Sequence, residues 1–319
     1  MKKILITGAT GFVGSHLIEY ILHNHPDYEI VATKRRRSDM QNVKHLTSQK
    51  IKWADCNMED YSNVENVFLA NGPFDKCFHL AAQSYVKFSW DSPAETIITN
   101  TIGTLNLLEV TRKHSKETII QIAGSSEEYG YQEKFPLVED MFLRPLSPYA
   151  VSKVSEENLA YQYYKSYGLK TILTRTFNHE GPRRGEQFVT STFAKQIVEV
   201  EKGYREPVIY HGNLDSYRDY TDVRDVVHAY WLATEMCEYG EPYNICSGNL
   251  TKISDVLDIL LSFSTVKITK QTDPERMRPS DLIRLQGDNS KFVKVTGWQP
   301  KISVNDMLKD TINYWREKI

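Results

Sequence analysis

Tyr149 and Lys153 stand four residues apart in the segment SPYAVSKVSEENLAYQYY, a spacing that puts both side chains on one face of a helix. An ammonium beside a phenol favours the phenolate and lowers a pKa of about 10, which makes such a tyrosine a usable base near neutral pH. A second match, Tyr161 and Lys165, follows on the same helix and reads as ordinary packing. Only the first pair comes at a helix start, after Ser147 and Pro148, where a substrate can reach it. Upstream, the apolar run 119–123 leads into Gly124, Ser125, Ser126 and Glu127. At a strand's carboxyl end Ser125 can hold a substrate hydroxyl while Tyr149 removes its proton. Glu127 can take a proton from a carbon made acidic by a neighbouring ketone. The alternative for Glu127 is a loop carboxylate that caps a turn or a helix.

Gly8, Gly11 and Gly14 follow the apolar run 4–6 and precede Leu17, Ile18 and Ile21. In a strand-turn-helix setting, glycines so spaced allow a tight turn and close approach of the backbone to a pyrophosphate, which then rests on the helix N-terminus. At the end of the next strand, where an NAD-binding protein usually offers an acid to the ribose, the chain has Thr33, Lys34, Arg35, Arg36 and Arg37. Arginine forks match phosphate geometry, so the run favours the 2′-phosphate of NADP. A solvated basic turn is the plainer alternative.

These residues need a scaffold that brings them to one edge. The apolar runs 4–6, 30–32, 78–81, 119–122 and 171–173 alternate with helical stretches, which predicts parallel strands joined by right-handed crossovers: an α/β, doubly wound sheet with ligands at the strands' carboxyl ends. After Arg175 the rhythm changes. A Gly/Pro/Arg stretch (179–185) leads to a helix over 188–201 and a strand near 208–210, then a helix over 223–236 and a strand over 243–246, with further helices near 254–261 and 304–314. The expected division is a Rossmann domain of residues 1–176 plus 222–247, and a smaller mixed α/β substrate lobe of residues 177–221 plus 248–319.

Bulk composition agrees with a globular enzyme. Of 319 residues, 40% are hydrophobic and 25% charged, and 39 basic against 41 acidic residues leave a formal net charge of −2. No global field draws such a chain to nucleic acid or an anionic membrane, so any anion site is local. Cys56, Cys77, Cys237 and Cys246 form no CxxC pair and no metal-ligand spacing, which points to reduced thiols, a cytoplasmic protein and no metal. No run approaches the roughly 18 apolar residues of a membrane span, and glycines break the short apolar amino-terminal stretch too early for a signal peptide.

Taken together, GATGFVG, HLAAQSYVKFSWDSP, GSSEEYG, SPYAVSK, RTFNHEGPRRGEQFVT, GNLDSYRDYTDVRD and RPSDLIRLQGDNSK resemble the extended short-chain dehydrogenase/reductase family over essentially the whole chain. Within it the chain is similar to the GDP-mannose 4,6-dehydratases and the GDP-4-keto-6-deoxymannose reductases. The resemblance implies that Ser125, Tyr149 and Lys153 run a hydride step and that Glu127 is an elimination base. It assigns NADP to Gly8, Gly11, Phe12, Val13 and Gly14, with Arg35 and Arg36 on the 2′-phosphate, Asp55 and Cys56 at the adenine edge, and Leu80, Ala81 and Ala82 at the ribose side. His179 then meets the nicotinamide amide. A GDP-sugar is implied against Ser84, Asn178, Val189 and Lys195, with Arg218 and Arg278 clamping its diphosphate. Arg183 and Arg184 resemble an element that reaches a neighbouring subunit's cofactor, which implies a homodimer or a homotetramer. Cys56 departs from the family's usual aliphatic residue at that place.

The implied reaction is dehydration: oxidation at C4 through Tyr149, removal of the C5 proton by Glu127, loss of water from C6, and return of hydride to C6. A rival is a 4-keto reductase, which can also carry GSSEEYG and consumes NADPH stoichiometrically. A 4-epimerase needs no carboxylate at Glu127. A silent NADP-binding sensor needs the pocket but not Ser125, Tyr149 and Lys153.

Overall fold

Period-two alternation inside the apolar runs decides which way each strand faces. In β1 (Lys2–Thr7) Ile4 and Ile6 point to one side of the sheet and Leu5 to the other, and all three are inaccessible to solvent. The computed structural model describes residues 2–277 and 282–319. β2 (Tyr28–Lys34), β3 (Ile51–Asp55), β4 (Lys76–His79), β5 (Ile119–Ser125) and β6 (Lys170–Thr176) follow. With Pro242–Ile245, which is β10, they make a seven-stranded parallel sheet in the order β3-β2-β1-β4-β5-β6-β10. Order reverses between β1 and β4, so the loops after these two strands part there and open a crevice.

Two expectations shift at this edge. The run 78–81 is strand only to His79; Leu80 and Ala81 leave the ladder and donate their N–H groups to Thr7 Oγ1, each at 3.1 Å. β3 carries no strong apolar run, being partly exposed at the sheet's edge, and its period was not visible in the sequence.

Helices cover both faces, as a parallel sheet requires. On one side α1 (Phe12–Asn24) brings Leu17, Ile18 and Ile21, and α8 (Val223–Met236) brings Val226, Val227, Tyr230 and Trp231, onto Ile4, Ile6, Ile30 and Phe78. On the other, α2 (Tyr61–Asn71), α5 (Gly103–His114) and α6 (Pro148–Tyr167) bury Val64, Val67, Phe68, Leu107, Leu108, Ala160 and Tyr163 against Leu5, Val31, Ile120 and Ile122. Each such aliphatic side chain contributes roughly 1.5–3 kcal/mol on burial. α3 (Val86–Asp91), α4 (Pro93–Ile97) and a π-turn over Ile98–Ile102 lead into α5.

The second region is built from short pieces. β7 (Asn178–Glu180), β11 (Leu250–Lys252) and β13 (Arg284–Leu285) all pair with β9 (Tyr217–Asp222), while β8 (Val208–His211) pairs with β12 (Thr269–Thr272). Beneath them α7 (Val189–Glu201), α9 (Ile253–Ser262) and α11 (Val304–Lys318) pack Phe193, Ile197, Leu257, Leu260, Leu308, Ile312 and Trp315 into a core of their own. α10 (Ser290–Thr296) behaves otherwise: Phe292 and Trp298, expected in the substrate lobe, pack into the main core against α8 and β10. Among the described residues no helix is long and apolar enough to cross a membrane, and no cluster of His, Cys, Asp and Glu could hold a metal ion.

Candidate active site

A cavity of about 800 Å³ opens at the carboxyl ends of the sheet strands and runs under the second region. Gly8, Gly11, Phe12, Val13 and Gly14 line its start, with Leu80, Ala81 and Ala82 facing them across the switch point. The glycines fit this crossing. Gly8 has φ 67° and a Cβ there would lie 2.8 Å from Ala81 N, and a Cβ on Gly14 would lie 2.5 Å from Gly8 O. Gly11 precedes α1 as its N-cap, with no side-chain cap and no acid in the first turn, so the helix's N-terminal N–H groups suit a phosphate. Thr7 ties the two loops together, because its hydroxyl accepts from Leu80 and Ala81 and donates to His79 Nδ1 at 2.8 Å. His79 then donates from Nε2 to Thr104 at 2.9 Å, and burial pushes its pKa down to about 3.

At the end of β2 the cavity is lined by Thr33, Lys34, Arg35 and Ser38, but Arg36, expected beside the cofactor, is exposed and outside the lining. Asp55 does not reach it either. Lys34 holds its carboxylate in an ion pair, and Cys56, Asn57 and Met58 form the wall instead. Burial pushes the Cys56 thiol up to about 12, so it serves as an apolar surface beside Met58 Sδ at 3.8 Å.

The centre lies where β5 meets α6. Ser147 caps α6 by accepting from Ala150 N at 3.1 Å, Pro148 starts it, and Gly168, with φ 71°, ends it. This seats Tyr149 in the first turn of the helix, in the cavity wall with Ser125. Lys153 donates to Ala123 O at 2.9 Å and to Glu156 at 3.1 Å. The expected phenolate does not follow from these groups alone: burial raises the Tyr149 pKa more than Lys153 and Ser125 lower it. Two residues on, Glu127 is half-buried and lines the cavity. The capping role falls to its neighbour. Glu128 accepts the Ser125 N–H at 2.5 Å in a capping box, entirely buried beside Arg175.

Beyond the centre, Asn178, His179 and Arg184 line the cavity. His179 donates from Nδ1 to Phe177 O at 2.9 Å, its ring parallel to Phe12 at 6.0 Å. Burial and the Arg184 charge lower its pKa to about 3, so the ring is neutral with an acceptor at Nε2. Arg184 stacks over Phe188 at 3.5 Å and Phe12 at 4.9 Å, with Glu180 3.5 Å away. Arg183, at φ 72°, bonds His16 and Glu19 on α1. Both arginines have partners within this chain.

At the far end the lining includes Ser84, Val189 and Arg218. Arg218 is anchored on β9 by donating to Tyr217 O at 3.0 Å and Leu282 O at 2.7 Å. Lys195 is not part of the lining; it faces outward, paired with Glu186 and with Glu199 at 3.7 Å. Arg278 lies outside the described residues.

Residues 5–311 match the family described as GDP-mannose 4,6 dehydratase. The chain belongs to that family. Family members it is similar to include the GDP-6-deoxy-D-mannose reductase of Pseudomonas aeruginosa, 29% identical over 100% of this chain and 98% of the relative. The GDP-mannose 4,6-dehydratase of Vibrio cholerae is 31% identical over 98% of this chain and 93% of the relative. Among solved structures, RMD from Pseudomonas aeruginosa complexed with NADPH superposes with a TM-score of 0.86 at 28% identity, covering 100% of both chains.

Within this family frame, a nicotinamide cofactor fits the glycine turn, the open helix end and the neutral His179. Sequence reasoning missed Asn57, Met58, Thr176, Tyr210, His211 and Tyr230 in the lining. Tyr210 and His211 end β8, which is short and half apolar, and no local motif marks it. Tyr230 sits in the middle of α8, where an aromatic at helical spacing reads as core. It hydrogen-bonds Thr176 at 2.7 Å on the wall beside Tyr149.

Proposed function

We propose that this chain is an NADP-dependent 4,6-dehydratase acting on a GDP-sugar of the GDP-mannose type. Glu127 carries the reading: it is a carboxylate in the cavity wall, two residues from Ser125, at a place where oxidation at C4 alone needs none. The capping task belongs to Glu128, which accepts the Ser125 N–H.

Ser125 holds the sugar's O4, and Tyr149 accepts the O4 proton. Lys153, fixed by Ala123 O, orients Tyr149 and supplies positive charge beside it. Bound NADP would supply the hydride acceptor at C4 and the hydride donor at C6. Glu127 takes the C5 proton, acidified by the ketone, and delivers a proton to the leaving C6 hydroxyl, and C5 is reprotonated when hydride reaches C6; no aspartate follows Ser125, since Ser126 stands there. His179 Nε2 can accept from a carboxamide, Arg35 suits the 2′-phosphate, and Arg218 suits the diphosphate. Of the resemblance's other assignments, Arg36, Asp55 and Lys195 lie outside the cavity lining.

A 4-keto reductase is the second reading. Its support is length: the reductase relative aligns over 320 positions with this 319-residue chain, whereas the dehydratase relative needs 352 and so carries insertions that this chain lacks.

The deciding test is incubation of purified protein with GDP-mannose and no added cofactor, read by mass spectrometry. Loss of one water, lowered about 10²–10⁴-fold in Glu127→Gln, is the expected result. If GDP-mannose is untouched while GDP-4-keto-6-deoxymannose oxidises NADPH mole for mole, the dehydratase reading fails and the reductase stands.

A further inference from the structure

Along α6 the chain sets Tyr149, Lys153 and Glu156 on one stripe, four and then three residues apart, and all three are buried, Glu156 to 1% exposure. The Lys153 ammonium lies 3.0 Å from one Glu156 oxygen and donates to the other at 3.1 Å. A cation with a carboxylate on one side and a phenol on the other cannot give its whole field to the phenol. The nearby anion opposes, at Tyr149, what the ammonium does there, and low local dielectric keeps both effects large.

We propose that Glu156 is a positioning residue of the hydride-step centre: it pins the Lys153 ammonium against α6 and, through its charge, holds the ionisation of Tyr149 at a higher pH than the Tyr149–Lys153 pair alone would give. This rests on Tyr149 being the base of the reaction.

The surroundings favour Glu156 as the source of that charge. From β4 comes His79, kept neutral by burial and bonded to Thr104 of α5, whose hydroxyl donates to Asn100 O at 2.8 Å. From the turn after β5 comes Glu128, whose carboxyl is pushed well above its ordinary range by burial and by Glu157, so it is a poor source of negative charge. Arg184, before α7, adds a cation, and Tyr230, on α8, is pushed up to about 12 by burial. Lys153 itself is held above its ordinary value: burial lowers it, but Glu156 and Tyr149 raise it more. Burial raises the Glu156 carboxyl above its ordinary value and Lys153 opposes that rise; it is the direct contact of both carboxylate oxygens with the ammonium that favours the ionic form of the pair. Its cost in desolvation is explicable if the carboxylate has this tuning role.

The test is titration of Tyr149 itself. Protein labelled with 13Cζ-tyrosine gives a Tyr149 resonance identified by its loss in Tyr149→Phe, and its midpoint is compared between wild type and Glu156→Gln, which keeps shape and an acceptor for Lys153. The expected midpoint is lower by about one unit in Glu156→Gln, an approximately tenfold larger phenolate fraction at a given pH below it. Glu156→Asp, which draws the charge back by a methylene, should move it less and keeps the proposal testable if the glutamine variant does not fold. An unchanged or raised midpoint in the glutamine variant, or in the aspartate variant where it stands alone, overturns the proposal. The acid limb of the kcat/KM profile with GDP-mannose should move with the midpoint. If the midpoint moves and the limb does not, Glu156 keeps its effect and Tyr149 loses its role as the base.

Discussion

At one end of the cavity, Gly8, Gly11 and Gly14 share a single strand-helix turn, and the wall opposite is the next loop of the same sheet. At the other end, Arg218 stands on a strand whose neighbours come from residues 178–180, 250–252 and 284–285. The first end is made by local geometry on a rigid parallel sheet; the second is made by long-range pairing. Its keystone is Asp219, fully buried next to Arg218. Its carboxylate accepts from Ser247 N at 2.8 Å, Ser247 Oγ at 2.6 Å, Gly248 N at 2.9 Å and Gly287 N at 3.3 Å. The contrast implies that damage at the glycine turn is steric and immediate, whereas damage at the far end is a loosening.

The largest effect is expected from Gly14→Ala. Its Cβ would lie 2.5 Å from Gly8 O and 2.8 Å from Ala9 Cα, both backbone, so nothing flexible can yield. The turn must open, at a cost of about 1–3 kcal/mol. Nicotinamide fluorescence titration should show cofactor affinity reduced at least about tenfold, the equivalent of roughly 1.4 kcal/mol, together with a lower melting temperature. Unchanged affinity would mean that the turn does not carry the cofactor.

Asp219→Ala tests the other end. It leaves the N–H groups of Ser247, Gly248 and Gly287 without this acceptor, a loss of about 1–3 kcal/mol, with a raised KM for the sugar nucleotide and little change in cofactor affinity. The pH dependence has a definite sign. Burial raises the Asp219 pKa from 3.8 to about 6 in the folded protein. Its stabilising contribution is therefore full below the unfolded value and is lost as pH rises through about 6. The cost of Asp219→Ala, measured by chemical denaturation, should accordingly be smaller at pH 7.5 than at pH 5. The reverse order would show that the hydrogen bonds to the ionised carboxylate outweigh burial.

Local signals made the first end legible. The glycine spacing, the Tyr149–Lys153 step and the Ser125–Glu127 turn each state their geometry within one element, and the alternating apolar runs state the sheet. Where legibility failed, the cause was a competing partner or a missing period. Asp55 was placed by analogy at the adenine edge, but Lys34 on the adjacent strand captures it. β3 lies at an edge and β8 is only four residues long, so neither leaves a strong pattern. Tyr210, His211 and Tyr230 reach the cavity only because strands and helices distant in sequence converge there. Glu156 shows the opposite failure: its i, i+3 spacing to Lys153 was in view, but burial, which gives that spacing its force, was not.

The smallest expected effect is that of Lys195→Ala, and it bears on how far the substrate end extends. The family resemblance made this lysine a candidate for the sugar nucleotide, yet its ammonium is turned to Glu186 and Glu199 at the surface, with the side chain about one third exposed at 31%. An exposed pair of this kind contributes roughly 0.2–1 kcal/mol, and a surface substitution away from the cavity shifts free energies by about 0.5 kcal/mol or less, which is about twofold in KM. Stability and KM should both stay within those bounds in steady-state assays and thermal melts, set beside Arg218→Ala as the lining control. If Lys195→Ala instead raised KM about tenfold with stability unchanged, the lysine would have to exchange its two carboxylates for a substrate phosphate on binding. The far wall of the cavity would then be completed by the ligand, and the division between a preformed end and an assembled end would be sharper than the fold alone displays.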